Sequence, residues 1–281
     1  MLTVRSRVIS FVNQLAKMPN AFDELERLVV RFSRKELQEA LLECGVIPES
    51  FDHDSSQEKL WAKYCDILLA MALNELGLNA TVIRARGNSA DVLATVAGYT
   101  LVGDAKAFRL SRTAKNQKDF KVKALDDWRR ENTFACLVGP LTQFPNTRSQ
   151  IYEQAVQMNV TLISYTHLRF LLEREIVSPL EQLWTLGRTL KRSGSASEYW
   201  TAIDDITANL CGTNLSELEA MKQLEIEKLR ELGQEGITYW EQRVIEYHKL
   251  TQKEAVTKLI KAEKIEAKIR TIKKAISWVN I

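Results

Sequence analysis

The chain has 281 residues, 39 Lys and Arg against 36 Asp and Glu (formal charge +3), and 45% apolar residues. These proportions exclude a disordered or fibrous protein and leave room for one large domain or two small ones. No apolar run approaches the roughly 18–20 residues needed to cross a bilayer, and the four cysteines and three histidines are too scattered for a disulfide framework or a thiolate or imidazole metal cluster, so a reducing, cytoplasmic setting without membrane partners is expected.

The first fifty residues carry helical spacing. Ser33 and Glu36 form a capping box, and Gly45 follows as a stop. A longer helix begins near Ser55, with Glu58 at the box position. Its apolar residues Leu60, Trp61, Tyr64, Leu68 and Met71 recur at three and four until Gly77. Strands are then predicted over Thr81–Ile83, Asp91–Val96 and Tyr99–Asp104, and a helix over Phe120–Arg130. A strand over Phe134–Gly139, a helix over Ser149–Met158 and a strand over Val160–Ser164 complete a mixed α/β core. The Gly, Ser, Lys and Arg-rich stretch 187–197 reads as a linker, giving a core of residues 1–190 and an all-helical region of residues 198–281. Trp200, Trp240 and Trp278 in that region read as packing anchors, and the cysteines as small buried hydrophobes.

Chemistry concentrates in the hairpin. With Ala97-Gly98 as a two-residue turn, paired positions sum to 195, so Asp91 falls opposite Asp104. Cross-strand Cβ atoms lie roughly 4.5–5.5 Å apart, and two carboxylates that close repel unless one is protonated or a cation intervenes. Mg2+, small and oxygen-liganded, suits such a pair. Lys106 lies two residues beyond Asp104 and shares its face. Its ammonium could position an attacking water or offset charge on a phosphate, and the Ala105 carbonyl could add a ligand. On spacing alone, solvated acids at strand ends are the competing reading.

Downstream, the segment from Lys106 to Lys123 holds seven cations and one anion, Asp119, so the rest of the chain is net negative. Lys106, Arg109, Arg112, Lys115, Lys118 and Lys121 recur every third residue, which on a helix winds around the axis rather than forming a stripe. A DNA backbone rewards such density; an exposed loop with counterions is the plainer account. Asn116 and Gln117 carry amides suited to adenine, and Asp119 can accept from cytosine.

The run DAKAFRLSRTAKNQKDFKVKALDDWR, Asp104 to Arg129, resembles the HindIII family of type II restriction endonucleases. The likeness extends through QEKL (Gln57–Leu60), DILLA (Asp66–Ala70), RGN followed by Asp91-Val92, Ser149-Gln150-Ile151 and EQLW (Glu181–Trp184), covering most of the first 185 residues. The helical C-terminus matches less clearly. The resemblance implies a PD-(D/E)xK nuclease core and a homodimer that cuts a short palindrome, AAGCTT, in double-stranded DNA with Mg2+. A DNA methyltransferase would be its system partner without a stable complex. Carried over by position, Asp91 and Asp104 are metal-binding acids, with Ala105 beside them, and Lys106 is the motif lysine. Arg109, Arg112, Lys115, Asn116, Lys118, Asp119, Lys121 and Lys123 are the DNA-binding set. Ala90 stands where the motif's name has proline, and Arg84 where a further acid could have served. Glu58 is a candidate accessory acid, with a helix cap as its competing role. A non-cleaving DNA-binding regulator and a structure-selective repair nuclease of the same fold are the alternatives.

Overall fold

The computed structural model describes residues 3–84, 89–111, 120–177, 179–190 and 194–277. Four helices come first: α1 (Val4–Leu15), α2 (Ala21–Val29), α3 (Arg34–Glu43) and α4 (Ser56–Glu75). The Ser33–Glu36 capping box is formed at the start of α3. The Ser55 hydroxyl accepts from the Glu58 backbone N–H at the start of α4.

A five-stranded sheet follows in the order β1 (Asn79–Val82), β2 (Val92–Val96), β3 (Tyr99–Ala105), β4 (Phe134–Gly139), β5 (Val160–Ser164). The first three strands are antiparallel and the last three parallel. Val96 faces Tyr99 and Val92 faces Gly103, so the register sums to 195. Gly98 turns the hairpin at φ +100°, a conformation that costs glycine little. β4 and β5 are buried throughout, as parallel strands covered on both faces must be. The first strand lies over 79–82 rather than 81–83, because Asn74 holds the N–H and carbonyl of Ala80 and starts the ladder early.

Between and after the last strands come α5 (Val122–Arg129), α6 (Gln150–Met158), α7 (Tyr165–Glu173), the short α8 (Glu181–Trp184) and α9 (Leu186–Thr189), and α10 (Ala196–Leu210). The architecture is the mixed α/β sheet flanked by helices expected of a restriction-endonuclease-like core. The helical end comprises α10, α11 (Leu215–His248), α12 (Gln252–Ala262) and α13 (Ile265–Ser277). The chain divides into compact units at 234/235, inside α11, rather than at 187–197. The physical reason is that α10 buries Tyr199 and Ile203 in the core, and α11 buries Leu218, Met221 and Leu232. Trp200 is half-buried and donates to the Tyr152 hydroxyl. Trp240 is 47% exposed, against the expectation of an anchor, and Trp278 lies outside the described residues. Cys44, Cys65 and Cys136 are buried and Cys211 half-buried, all as free thiols. Among the described residues no helix is long and apolar enough to cross a membrane.

α9 packs on the end of α6 with no space to spare. A Cβ on Gly187 would lie 2.8 Å from the Asn159 Cα and 2.9 Å from the Val156 carbonyl oxygen. Gly187→Ala should therefore lower stability by about 1–3 kcal/mol, read by urea unfolding; an unchanged midpoint would show that the helix shifts freely.

Candidate metal centre

Three elements bring one carboxylate each to the same place. Asp104 is on β3, 1% exposed. Asp91 immediately precedes β2, and its N–H donates to the Gly103 carbonyl (3.1 Å), continuing the hairpin ladder by one residue. Asp66 comes from the middle of α4, 3% exposed. Oxygens of the three lie within 4.8 Å of one another. The helix can come this close because β3 has glycine at 103: an added Cβ would sit 3.0 Å from Leu69 of α4.

Two ammonium groups flank the acids. Lys106 Nζ donates to Asp104 Oδ1 at 2.7 Å and stands 2.5 Å from Oδ2, an oxygen that is buried and receives no well-angled hydrogen bond. The Lys106 backbone is fixed on both sides, its N–H bonded to the Val138 carbonyl (2.7 Å) and its carbonyl accepting from the Tyr165 hydroxyl (3.0 Å). Lys63, one turn before Asp66, bridges Asp66 (2.9 Å) and Asp91 (2.6 Å).

The electrostatics follow from burial and crowding. Burial, reinforced by the Asp91 charge, pushes Asp66 up to about 8, while Lys63 pulls the other way. Burial also raises Asp104; Lys106 opposes this, Asp91 adds to it, and Lys121 lowers it from farther off. Burial works to lower Lys63, but Asp66 and Asp91 outweigh it and carry the amine up to about 12. Three acids with an under-satisfied buried oxygen, all hard donors, fit a small divalent cation.

The sequence reading brought Asp91, Asp104, Ala105 and Lys106 to this point, and the structure gathers them at the ends of β2 and β3. Ala105 closes β3 opposite Val138. Asp66 and Lys63 were missed. The available signal was an aspartate inside a helix that is apolar almost all round, from Tyr64 to Leu73.

Glu58 is not gathered in. Its Oε2 accepts from the Asp54 N–H (2.6 Å) and faces His53 Nδ1 (3.2 Å), and its Oε1 accepts from Arg109 Nε (3.1 Å). Burial would raise this carboxyl, but His53, the Asp54 N–H and Arg109 together hold it below the usual range. Arg109 is correspondingly folded in, its side chain 13% exposed, rather than projecting. Lys123 is exposed and pairs with Asp127 at 3.3 Å. Lys121 caps α5 in a left-handed conformation, φ +46°. Arg112, Lys115, Asn116, Lys118 and Asp119 lie outside the described residues. On either side of that segment Phe108 and Phe120 pack ring to ring at 5.5 Å, and Phe120 stacks on Phe144 at 4.8 Å. Arg84 is drawn to Asp23 (2.6 Å) and Glu26 (2.5 Å) of α2, away from the acids.

Ser164, His167 and Asp204 also align, at 2.5 and 2.8 Å. Ser164 and His167 are fully buried and Ser164 caps α7, so this set is a packing network. Burial lowers His167 despite Asp204.

Comparison with known proteins agrees in extent as well as in kind. The family described as HindIII restriction endonuclease matches residues 7–276. The type II restriction enzyme HindIII of Haemophilus influenzae (strain ATCC 51907 / DSM 11121 / KW20 / Rd) is 34% identical over 286 residues, covering 98% of this chain and 95% of that protein.

The crowding has a measurable cost. Between the ordinary aspartate value of 3.8 and about 8, folded Asp66 holds a proton that the unfolded chain releases, so stability falls as pH rises through that window. Asp66→Asn cannot ionise. In EDTA at pH 8.5 it should melt roughly 5 °C or more above the parent, with the gap shrinking toward acid pH. Equal melting temperatures at pH 8.5 would contradict the crowding.

Proposed function

The chain belongs to the HindIII restriction endonuclease family, and from that membership we propose that it recognises AAGCTT in double-stranded DNA and hydrolyses one phosphodiester in each strand with Mg2+. It is a type II site-specific deoxyribonuclease. Two copies would meet the palindrome, each reading an identical half-site. A methyltransferase acting on the same sequence, without a stable complex, would protect host DNA in the cytoplasm.

The observation that carries the catalytic reading is the convergence of Asp66, Asp91 and Asp104 within 4.8 Å, with Lys106 on Asp104. Asp91 and Asp104 would hold the cation, Asp66 would complete the set, and the Ala105 carbonyl is the backbone candidate beside them. When bound, a divalent ion offsets the negative charge that builds on the phosphate. Lys106, as an ammonium hydrogen-bonded to Asp104, donates from Nζ toward the attacking water or a phosphate oxygen and holds it in line. The water gives up a proton to solvent as its oxygen bonds to phosphorus, the bond from phosphorus to the leaving sugar oxygen breaks, and that oxygen takes up a proton from solvent, so protons balance. Lys63, hydrogen-bonded to both Asp66 and Asp91, keeps the acids together before the cation arrives.

Arg109, Arg112, Lys115, Asn116, Lys118, Asp119, Lys121 and Lys123 are proposed as the DNA-facing set, with the Lys121 charge close enough to the acids to lower Asp104. Arg109 would have to leave Glu58 to reach DNA, so Glu58 is better read as its partner than as an accessory acid. A non-cleaving regulator would have no need of three converging acids and a flanking amine. A structure-selective nuclease would not need the polar segment around Asn116.

Asp104→Asn should lower plasmid cleavage by roughly 100-fold or more while specific binding to an AAGCTT duplex largely survives. Sequencing the ends left by the parent protein with and without Mg2+ fixes the site. Normal cutting by the variant would remove Asp104 from the chemistry; ends at random positions would remove the specificity.

A further inference from the structure

The second compact unit, Glu235–Ile281, shows no core of its own among its described residues. Among its described side chains, 235–273, none is buried. α12 is eleven residues long and buries nothing, and helices of that length are marginal in water without a packed face. Yet the apolar residues are ordered in stripes. The last turns of α11 present Ile237, Trp240, Val244 and Tyr247 at spacings of three and four, each about half exposed. α12 presents Val256, Leu259 and Ile260, and α13 presents Ile265, Ile269 and Ile272. This heptad-like order belongs to a helix bundle seam, and a monomer rarely leaves so large an apolar surface in water.

Charge says what covers it. From 235 to 248 there are three glutamates against one arginine, a net of −2; from 252 to 277 there are eight Lys and Arg against three glutamates, a net of +5. The tail of α11 is acidic and the α12–α13 pair is basic, so the unit carries both halves of a complementary surface. Such a surface satisfies itself when a second copy is turned by a two-fold axis. DNA would answer the lysines of α12 and α13, but not the isoleucine stripe, and it would be repelled by the α11 tail. Tryptophan and tyrosine in the seam are the residue types that anchor protein contacts.

We propose that the α11 tail, α12 and α13 form the interface between two copies of this chain, the acidic tail of each copy against the basic helices of the other. The proposal rests on the reading of the chain as an enzyme that meets a palindrome as a pair, and it adds the surface by which the pair is built.

The test uses the full-length protein in EDTA without DNA, so it does not depend on cleavage. Sedimentation equilibrium should give twice the 32.1 kDa chain mass. The double variant L259E/I269E should weaken association by more than roughly 30-fold and sediment as a monomer. Its far-UV circular dichroism should be unchanged apart from any loss within α12 and α13. Hydrogen exchange of the parent provides a second readout: protection across 237–272 should rise with protein concentration. A double variant that stays dimeric at the same concentration overturns the proposal. So does a parent that is monomeric, or protection of 237–272 that appears only when an AAGCTT duplex is added, which would make DNA the occupant. None of these outcomes touches the assignment of Asp104, which the cleavage assay reads separately.

Discussion

The convergence of three acidic side chains in a buried place is the constraint around which this protein is arranged. Asp66, Asp91 and Asp104 are brought within 4.8 Å of one another, two of them almost fully buried, where like charges are costly. Folding does not relax this arrangement; it enforces it. The hairpin register delivers Asp91 to Asp104 through backbone hydrogen bonds, and Gly103 lets α4 descend far enough to add Asp66. Lys63 and Lys106 relieve the repulsion with ammonium groups. The sheet, α4 and two lysines hold the three acids together against this electrostatic strain.

The surrounding packing makes that strain affordable in a small volume. β4 and β5 are covered on both faces, so the antiparallel hairpin is clamped against a rigid parallel pair. The Lys106 backbone is held by Val138 on one side and Tyr165 on the other, which fixes the point from which its side chain reaches Asp104. Phe108 and Phe120, which flank the basic segment in sequence, pack ring to ring, and Phe120 stacks on Phe144. Acids held on paired strands suit the proposed role, in which the groups that act on the phosphate must be fixed by the scaffold.

The hairpin was legible because strand pairing is local: a two-residue turn and period-two alternation place Asp91 against Asp104 by counting. Asp66 was not, since its role depends on a helix folding back over the sheet, and helical periodicity reports which face is buried but not what it is buried against. Glu58 and Arg109 were read singly as an acid and a cation. The structure joins them across 51 residues of chain, a contact that neither residue type advertises. The unit boundary was sought in a Gly and Ser-rich stretch. It falls within a continuous helix because burial ends at Leu232 while helical propensity does not.

The direct test of the central claim is diffraction from crystals of the full-length protein soaked in Mn2+ as a stand-in for Mg2+, with the ion located by its anomalous signal. The account predicts a peak within about 2.0–2.6 Å of carboxylate oxygens of Asp91 and Asp104, beside Asp66. A peak at the exposed His53, Asp54 and Glu58 group instead, with none at the buried acids, would contradict it.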